Sequence, residues 1–301
     1  MFIHKDVFDY KVKGSRSENC ILIDTNNWYV NTSNAVIGVN SRGGISDTNI
    51  TEVLAANIPD GSKYEGYVKD GDIVLITTVA SRMYCARTFG IPINFDGARY
   101  TDIPMAHVIG VFERRQITLP TLKLLGSYVM LTPYDNLPDG LVISTQLNKT
   151  TYKVVKTGPD SKEVSKGDIV LTRDNIVTEI RINGVPYGIT TEDMIVGKFK
   201  NYTRIEDLEV LPTRIIMSDY MSTHAEGSSV LLNPGYDVHT DIDQVSEVYN
   251  EDRFKVIHSA VKGINSGDVL DILRETTNYS TLNGEKYFVV YGKQFINAKI
   301  V

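Results

Sequence analysis

The residues Val164-Ser165-Lys166-Gly167-Asp168-Ile169-Val170-Leu171 recur, with small changes, at two other places in this chain of 301 residues. The other two versions are Val68-Lys69-Asp70-Gly71-Asp72-Ile73-Val74-Leu75 and Ile264-Asn265-Ser266-Gly267-Asp268-Val269-Leu270. The glycines are separated by 167 − 71 = 96 and by 267 − 167 = 100 residues. A period of this length predicts a domain-sized unit that occurs three times.

Each version has the chemistry of a tight turn that leads into a buried strand. Glycine takes the positive φ that such a turn requires, and an aspartate side chain can accept a hydrogen bond from the nearby backbone. The β-branched residues that follow favour a strand. We therefore predict structural turns at Gly71-Asp72, Gly167-Asp168 and Gly267-Asp268.

The segments around the three turns also correspond. Strand-like runs precede the turns at 51–56, 152–157 and 254–259, and apolar runs close the units at 103–112, 191–199 and 287–301. Long amphipathic helical patterns are absent and turn signals are frequent. These features predict an all-β protein of three tandem small barrels with short linkers.

The breaks in the pattern define the predicted domains. They are 1–115 with an insertion at 24–49, 126–199, and 212–301 with an insertion at 237–252. Residues 113–126 and 200–212 are predicted linkers, the second with a short helix around 205–210. The first insertion is rich in Asn, Ser and Gly, and the second is acidic without strand alternation. Insertions in single repeats map to exposed faces, so these two are candidate contacts for partners.

Composition and charge narrow the classes of partner. The net charge of −6, without a cluster of five or more Lys and Arg residues, argues against a nucleic-acid partner. No run of 18 apolar residues suits a membrane span, and the start lacks the order of a signal peptide. We expect a soluble protein synthesised in the cytoplasm. Cys20 and Cys85 are expected to be small buried hydrophobes and not a disulfide framework.

Recognisable catalytic chemistry was not found in the sequence. The motifs G-x-S-x-G and G-x-x-x-x-G-K-[ST] do not occur. The acidic residues of 237–243 lack the central Gly and the terminal Glu of a calcium loop. The five histidines are too widely separated to match the spacing of metal ligands: His4, His107, His224, His239 and His258. The sequence predicts no catalytic residue, no cofactor and no metal site.

With these motifs the chain resembles the GroES-type co-chaperonins. In that family a mobile loop ends in Gly and an aliphatic triplet, and a strand, a "V-K-x-G-D-I-V" stretch and a closing strand follow. The second repeat is most similar, at 140–143, 154–158, 164–170 and 193–197. The first is similar from 52 to 112, and the third is diverged. The resemblance implies three tandem GroES-like β-barrels.

The resemblance also implies candidate partner contacts. A co-chaperonin presents the aliphatic tip of its loop to a chaperonin, and the corresponding triplets here are Ile21-Leu22-Ile23, Leu141-Val142-Ile143 and Val230-Leu231-Leu232. The favoured alternative is that these triplets are core strands. Pro133 and Pro138 restrict the second loop, and three fused barrels do not simply give the ring that single-barrel family members form.

Three hypotheses about function follow. The favoured one is a non-enzymatic structural protein of a tailed-bacteriophage virion, such as a capsid-auxiliary, neck or ring protein, which contacts itself or other virion proteins. Abundant Asn, Ile and Tyr, typical of AT-rich genomes, agree with it. The second is a co-chaperonin with a host or viral chaperonin as partner. The third is an enzyme with a borrowed GroES-like barrel, as in medium-chain alcohol dehydrogenases, but the G-x-G-x-x-G motif that these require is missing.

Overall fold

The computed structural model contains strands joined by turns and by short 3-10 helices, with a helical turn at 78–80. The all-β prediction is therefore confirmed. No helix in the described part of the chain is long and apolar enough to cross a membrane. The structure describes residues 17–25, 27–32, 35–40, 49–80, 93–95, 98–134, 150–201, 203–223, 247–291 and 299–300.

The chain divides into two compact units, and unit 1 comprises residues 1–147, 152–168 and 175–194. Its strands are β1 (Cys20–Asp24), β2 (Asn27–Thr32), β3 (Ala35–Asn40), β4 (Ile50–Glu52), β5 (Ala55–Asn57), β6 (Ile73–Ile76), β7 (Ile93–Phe95), β8 (Ala98–Pro104), β9 (Val108–Phe112), β10 (Leu122–Leu124), β11 (Tyr128–Pro133), β12 (Thr151–Thr157, from residue 152), β14 (Thr178–Ile182) and β15 (Val185–Thr191). They pair in the orders β5-β1-β8-β7, β10-β9-β6-β4-β2-β3 and β14-β15-β11-β12.

Unit 2 comprises residues 148–151, 169–174 and 195–301. Its strands are β13 (Ile169–Thr172), β16 (Ile195–Phe199), β17 (Leu208–Val210), β18 (Arg214–Thr223), β19 (Glu247–Ser259), β20 (Val269–Asp271), β21 (Asn278–Leu282), β22 (Glu285–Tyr291) and β23 (Lys299–Ile300). They pair in the orders β13-β16-β17 and β21-β22-β18-β19-β20-β23. None of the sheets formed by the described residues closes into a barrel.

The same set of antiparallel pairings occurs three times along the chain. The opening strand pairs with a late strand in β1–β8, β11–β15 and β18–β22. The strand after the Gly-Asp turn pairs in β6–β9, β13–β16 and β20–β23. We call β1–β10 the first repeat, β11–β17 the second and β18–β23 the third.

Each unit has apolar cores between its strands. In unit 1 a cluster around Ile21, Ile23, Val74 and Ile103 is fully buried. In unit 2 the corresponding cluster contains Phe254, whose ring centre lies 4.8 Å from that of Phe288. The segments after the Gly-Asp turns contribute Val74 and Ile76 to the first core and Leu270 and Ile272 to the second, since alternate residues of a strand point to one face.

The segments between the repeats differ from the sequence prediction. Residues 113–126 contain β10, which pairs with β9, and residues 200–212 contain β17, which pairs with β16. The helix predicted around 205–210 is a 3-10 turn, Ile205–Asp207, that leads into β17. Leu122 and Leu124 are buried on either side of the exposed Lys123, which is the alternation of a half-buried strand.

The insertions also contain strands. Residues 24–49 include the hairpin β2–β3, and β2 joins β4 through the pair Trp28 and Thr51. The end of the insertion at 237–252 lies in β19, where Tyr249 pairs with Met221. The composition of the first insertion and the lack of apolar alternation in the second gave no signal for these strands, because backbone pairing to a neighbouring strand does not require apolar alternation. The rest of 237–252 lies outside the described residues.

Two hairpins carry a sequence signal that the sequence analysis overlooked. Asn183-Gly184 joins β14 to β15, and Asn283-Gly284 joins β21 to β22. All four residues have positive φ, with values of 53°, 74°, 52° and 87°. This is the geometry of a two-residue type I′ turn, for which Asn-Gly is the preferred sequence.

Candidate assembly surfaces

The three Gly-Asp turns have the same geometry. Gly71, Gly167 and Gly267 have φ values of +83°, +100° and +95°. In each turn the aspartate Oδ2 accepts a hydrogen bond from the backbone N–H three residues earlier. The donor-to-acceptor distances are 2.9 Å for Lys69 to Asp72, 2.9 Å for Ser165 to Asp168 and 2.8 Å for Asn265 to Asp268.

Each turn is also bound to the strand that precedes it. In the first repeat the N–H of Gly71 donates to the carbonyl of Val53, and the N–H of Val53 donates to the carbonyl of Asp72, at 2.7 and 2.8 Å. Val154 and Val256 make the same pair of bonds in the other repeats. The aspartate side chains act within their own turns, so they contribute local structure.

Only one of the three aliphatic triplets lies among the described residues. Ile21, Leu22 and Ile23 are each 0% exposed in β1, which pairs with β5 and β8. A strand with both edges paired and three buried side chains presents no aliphatic surface to a partner. Residues 141–143 and 230–232 lie outside the described residues.

A large apolar cluster among the described residues of unit 1 lies where the first and second repeats meet, and we call it seam 1. The first repeat contributes residues of β4, β6, β9 and β10, and the second contributes β11 and the hairpin β14–β15. The buried members are Ile50, Ile73, Leu75, Ile109, Phe112, Ile117, Leu122, Leu124, Met130, Ile180, Ile182 and Ile189. Burial of this many aliphatic side chains is the main force that joins the two repeats.

A corresponding cluster of unit 2, seam 2, lies between strands of the second and third repeats. Its buried members are Leu171, Val196, Leu208, Ile216, Leu282, Tyr287 and Val289. They come from β13, β16 and β17 on one side and from β18 and the hairpin β21–β22 on the other. The two seams thus use equivalent elements in the same order, which makes them two examples of one head-to-tail interface.

A glycine at the same place allows close packing beside both seams. A Cβ on Gly110 would lie 2.5 Å from the carbonyl oxygen of Lys123 and 2.9 Å from Leu122 Cδ1. On Gly197 it would lie 2.7 Å from the carbonyl oxygen of Glu209 and 2.9 Å from Leu208 Cδ1. Any larger residue would push β10 or β17 away from its partner strand.

Seam 2 has a polar border. The carboxylate of Asp174 accepts hydrogen bonds from the N–H of Thr281 at 3.1 Å and from its hydroxyl at 2.9 Å. The N–H of Asp174 donates to the carbonyl of Tyr279 at 3.0 Å, and the Ser280 hydroxyl donates to the carbonyl of Thr172 at 2.8 Å. These bonds run along β21, so they fix the register of that strand as well as its contact.

Each linker is held by a side chain from the second long strand of the following repeat. Lys156 Nζ donates to the carbonyls of Leu119 at 2.9 Å and Pro120 at 3.3 Å, and also to that of Leu122. His258, at the corresponding place in β19, has Nε2 2.8 Å from the carbonyl of Ile205. Since a carbonyl oxygen only accepts, this nitrogen carries the proton. Burial lowers the pKa of Lys156, while the charge of Glu113 opposes the shift.

A groove of about 1160 Å³ in unit 1 runs past the Gly71-Asp72 turn and the beginning of the first linker. Its walls carry both signs of charge. Arg115 pairs with Glu52 at 2.9 Å, and Lys123 pairs with Glu113 at 2.6 Å. The hydrogen bond from Lys123 lowers the pKa of the Glu113 carboxyl. Such exposed pairs contribute little to stability.

The buried carboxylate of Glu192 has a structural explanation. It accepts hydrogen bonds from the backbone N–H groups of Lys162, Glu163 and Val164 at 3.1, 2.8 and 3.1 Å. Three donors fix the loop that precedes the Gly167-Asp168 turn. Among the described residues, no group of three or more His, Cys, Asp or Glu side chains could hold a metal ion.

Comparison with known proteins found no matching family model and no matching curated protein. Among the residues that the structure describes, the two seams are the best-defined candidate functional feature. The sequence predicted the seam strands β6, β9, β11, β13, β16 and β18, but it predicted linkers where β10 and β17 lie and did not reveal the seams. The signal that was available is the Asn-Gly turn, which marks the hairpin that enters each seam.

Proposed function

We propose that this chain is a non-enzymatic structural or assembly protein built from three tandem GroES-like β-repeats. In this proposal it is a component of a tailed-bacteriophage virion, such as a capsid-auxiliary, neck or ring protein. Its partners are further copies of itself or other virion proteins.

The observation that carries the proposal is the repeated head-to-tail seam. Two apolar interfaces of the same construction join successive repeats, one within each compact unit. The linker beside each seam is hydrogen-bonded to the following repeat. A chain that fixes the orientation of neighbouring β-modules in this way suits a scaffold in which each repeat meets a different neighbour.

Light scattering and electron microscopy of the purified full chain test the assembly part of this proposal. We expect a defined oligomer, or addition of the chain to a larger ring or shell when other virion proteins are present. Mass spectrometry of purified particles should then detect the chain in fixed proportion to the major capsid protein. A chain that remains monomeric and is found only in host cytosol contradicts the proposal.

One topological observation favours a second candidate, a co-chaperonin. The triplets at 141–143 and 230–232 occur between the first and second long strands of their repeats, β11–β12 and β18–β19. The resemblance places the chaperonin-binding loop between the corresponding strands. Burial of Ile21, Leu22 and Ile23 removes the first triplet from this role.

A pull-down with an ATP-bound chaperonin distinguishes the two candidates. A co-chaperonin would be retained, and Leu231→Ser with Leu232→Ser would weaken retention, since the triplet at 141–143 is unchanged. Ser substitution of Leu273, which is 58% exposed and lies away from the triplets in sequence, is the matched control. Absence of binding by the unmodified chain argues against the co-chaperonin and leaves the structural role.

A further inference from the structure

In each seam the earlier repeat contributes one face of its sheet to the contact with the next repeat. We call this the accepting face, and its residues can be identified strand by strand. In the first repeat Ile50, Leu75 and Gly110 lie in register across β4, β6 and β9. In the second repeat Leu171 lies in register with Gly197 across β13 and β16. Leu75 and Leu171 are buried in seams 1 and 2. This row is therefore the apolar centre of the accepting face.

The third repeat has charged residues in the equivalent row. Leu75 and Leu171 each lie four residues after the turn glycine, and the residue four after Gly267 is Asp271. Asp271 is in register with Arg253 of β19 and with Lys299 of β23. Arg253 and Asp271 are partly exposed, in contrast to the buried leucines.

The residue three positions after the row also makes different contacts in the second and third repeats. Asp174 of the second repeat lies seven residues after its turn glycine and binds Thr281 of the third repeat. Arg274 lies seven residues after Gly267 and binds Asp219 of its own repeat at 2.6 Å. Its guanidinium lies 4.9 and 4.7 Å from the ring centres of Phe254 and Phe288. In the second repeat the side chain at this position binds the next repeat, whereas in the third repeat it binds its own repeat.

We propose that the third repeat is a capping repeat, whose charged row Arg253–Asp271–Lys299 excludes another copy of the same repeat from the accepting face. An apolar hairpin such as β14–β15 or β21–β22 would desolvate the charges of Arg253 and Asp271 there without offering partners, which is unfavourable. A polar outer face on a repeat prevents further repeats from stacking on it. Self-assembly of the chain then proceeds through other surfaces. The inference depends only on the repeats and holds whatever the function.

The test restores the apolar row in the full chain with Arg253→Ile and Asp271→Leu, the residues of the first repeat. The control removes one positive and one negative charge from exposed sites of the same repeat, with Lys262→Ile and Glu275→Leu. In sedimentation velocity the restored variant should associate progressively with concentration. The control should sediment as the unmodified chain does. If the restored variant also sediments unchanged, the row is not a cap.

A charge exchange, Arg253→Asp with Asp271→Arg and Lys299→Asp, covers the case in which the apolar variant does not fold. It keeps the row charged and keeps opposite charges on adjacent strands. A cap tolerates this exchange, so the variant should have the same oligomeric state as the unmodified chain. Loss of that state would show that the row is itself an interface, and the proposal would be overturned.

Discussion

Gly110 and Gly197 are required because another segment of backbone lies where their side chains would be. The expected effect of Gly110→Ala is a loss of about 1–3 kcal/mol in the free energy of unfolding, since the new Cβ overlaps a carbonyl oxygen that belongs to β10. Urea denaturation gives the value. Lys123→Ala, at an exposed site of β10, is the control and should change stability by less than about 0.5 kcal/mol. Equal effects of the two substitutions would contradict the packing argument.

His107 should make stability depend on pH. Burial lowers its pKa from 6.5, because removal from water disfavours the charged imidazolium. Well above pH 6.5 neither the folded nor the unfolded chain holds the proton, and the full stability is present. As the pH drops below 6.5, the unfolded chain binds the proton before the folded chain does, so the free energy of unfolding decreases as the pH is lowered. His107→Gln should flatten this part of the curve in urea titrations between about pH 8 and pH 5. Parallel curves would refute the assignment.

The Gly-Asp turns and Gly110 show what a sequence reveals at the scale of single residues. The turns depend on positive φ and on a bond across three residues, so the local sequence is enough to predict them. Gly110 depends on a strand that begins twelve residues later and on how closely that strand packs. No local pattern separates such a glycine from one in an ordinary strand.

Among the elements, the linkers depend on the side chains that hold them. Lys156→Met should cost about 1–3 kcal/mol, because the carbonyls of Leu119, Pro120 and Leu122 lose a charged donor. Hydrogen exchange should show faster exchange in residues 117–124. Lys153→Met, at an exposed position of the same strand, is the matched control. If both variants behave alike, the linker does not depend on this contact.

The linkers and insertions were also the elements that the sequence predicted least well. β10 and β17 have three residues each, and β2–β3 contains Asn and Thr in place of a continuous apolar alternation. Such strands are stabilised by the neighbour to which they bind, which a local pattern does not contain. The hairpins β14–β15 and β21–β22 could have been predicted from Asn183-Gly184 and Asn283-Gly284.

For the whole molecule, the apolar character of the accepting face changes along the chain. It is aliphatic at Leu75 and Leu171 and acidic at Asp271. Three copies of one fold can therefore have different neighbours, and the differences lie in a few positions of equivalent strands. The three turns give the period of the chain, whereas these positions determine which repeat contacts which.

Equivalent cavities in the two seams should destabilise different units. Ile182 and Leu282 occupy corresponding places before the Asn-Gly turns and are 2% and 4% exposed. Each change to Ala should cost about 2–5 kcal/mol. By hydrogen exchange, Ile182→Ala should lower protection in β6, β9 and β10, and Leu282→Ala in β13, β16 and β17. Val185→Ala, at a site in the hairpin β14–β15 that is 47% exposed, is the control.

Unchanged protection of β16 and β17 in the Leu282→Ala protein would mean that the third repeat does not support the second. The contacts in the seams would then not contribute to stability, and they would no longer support the proposed scaffold. The expected result is the opposite, since Leu282 shares a buried cluster with Val196 and Leu208 of those two strands. A cavity in a close-packed cluster removes contacts from every residue around it.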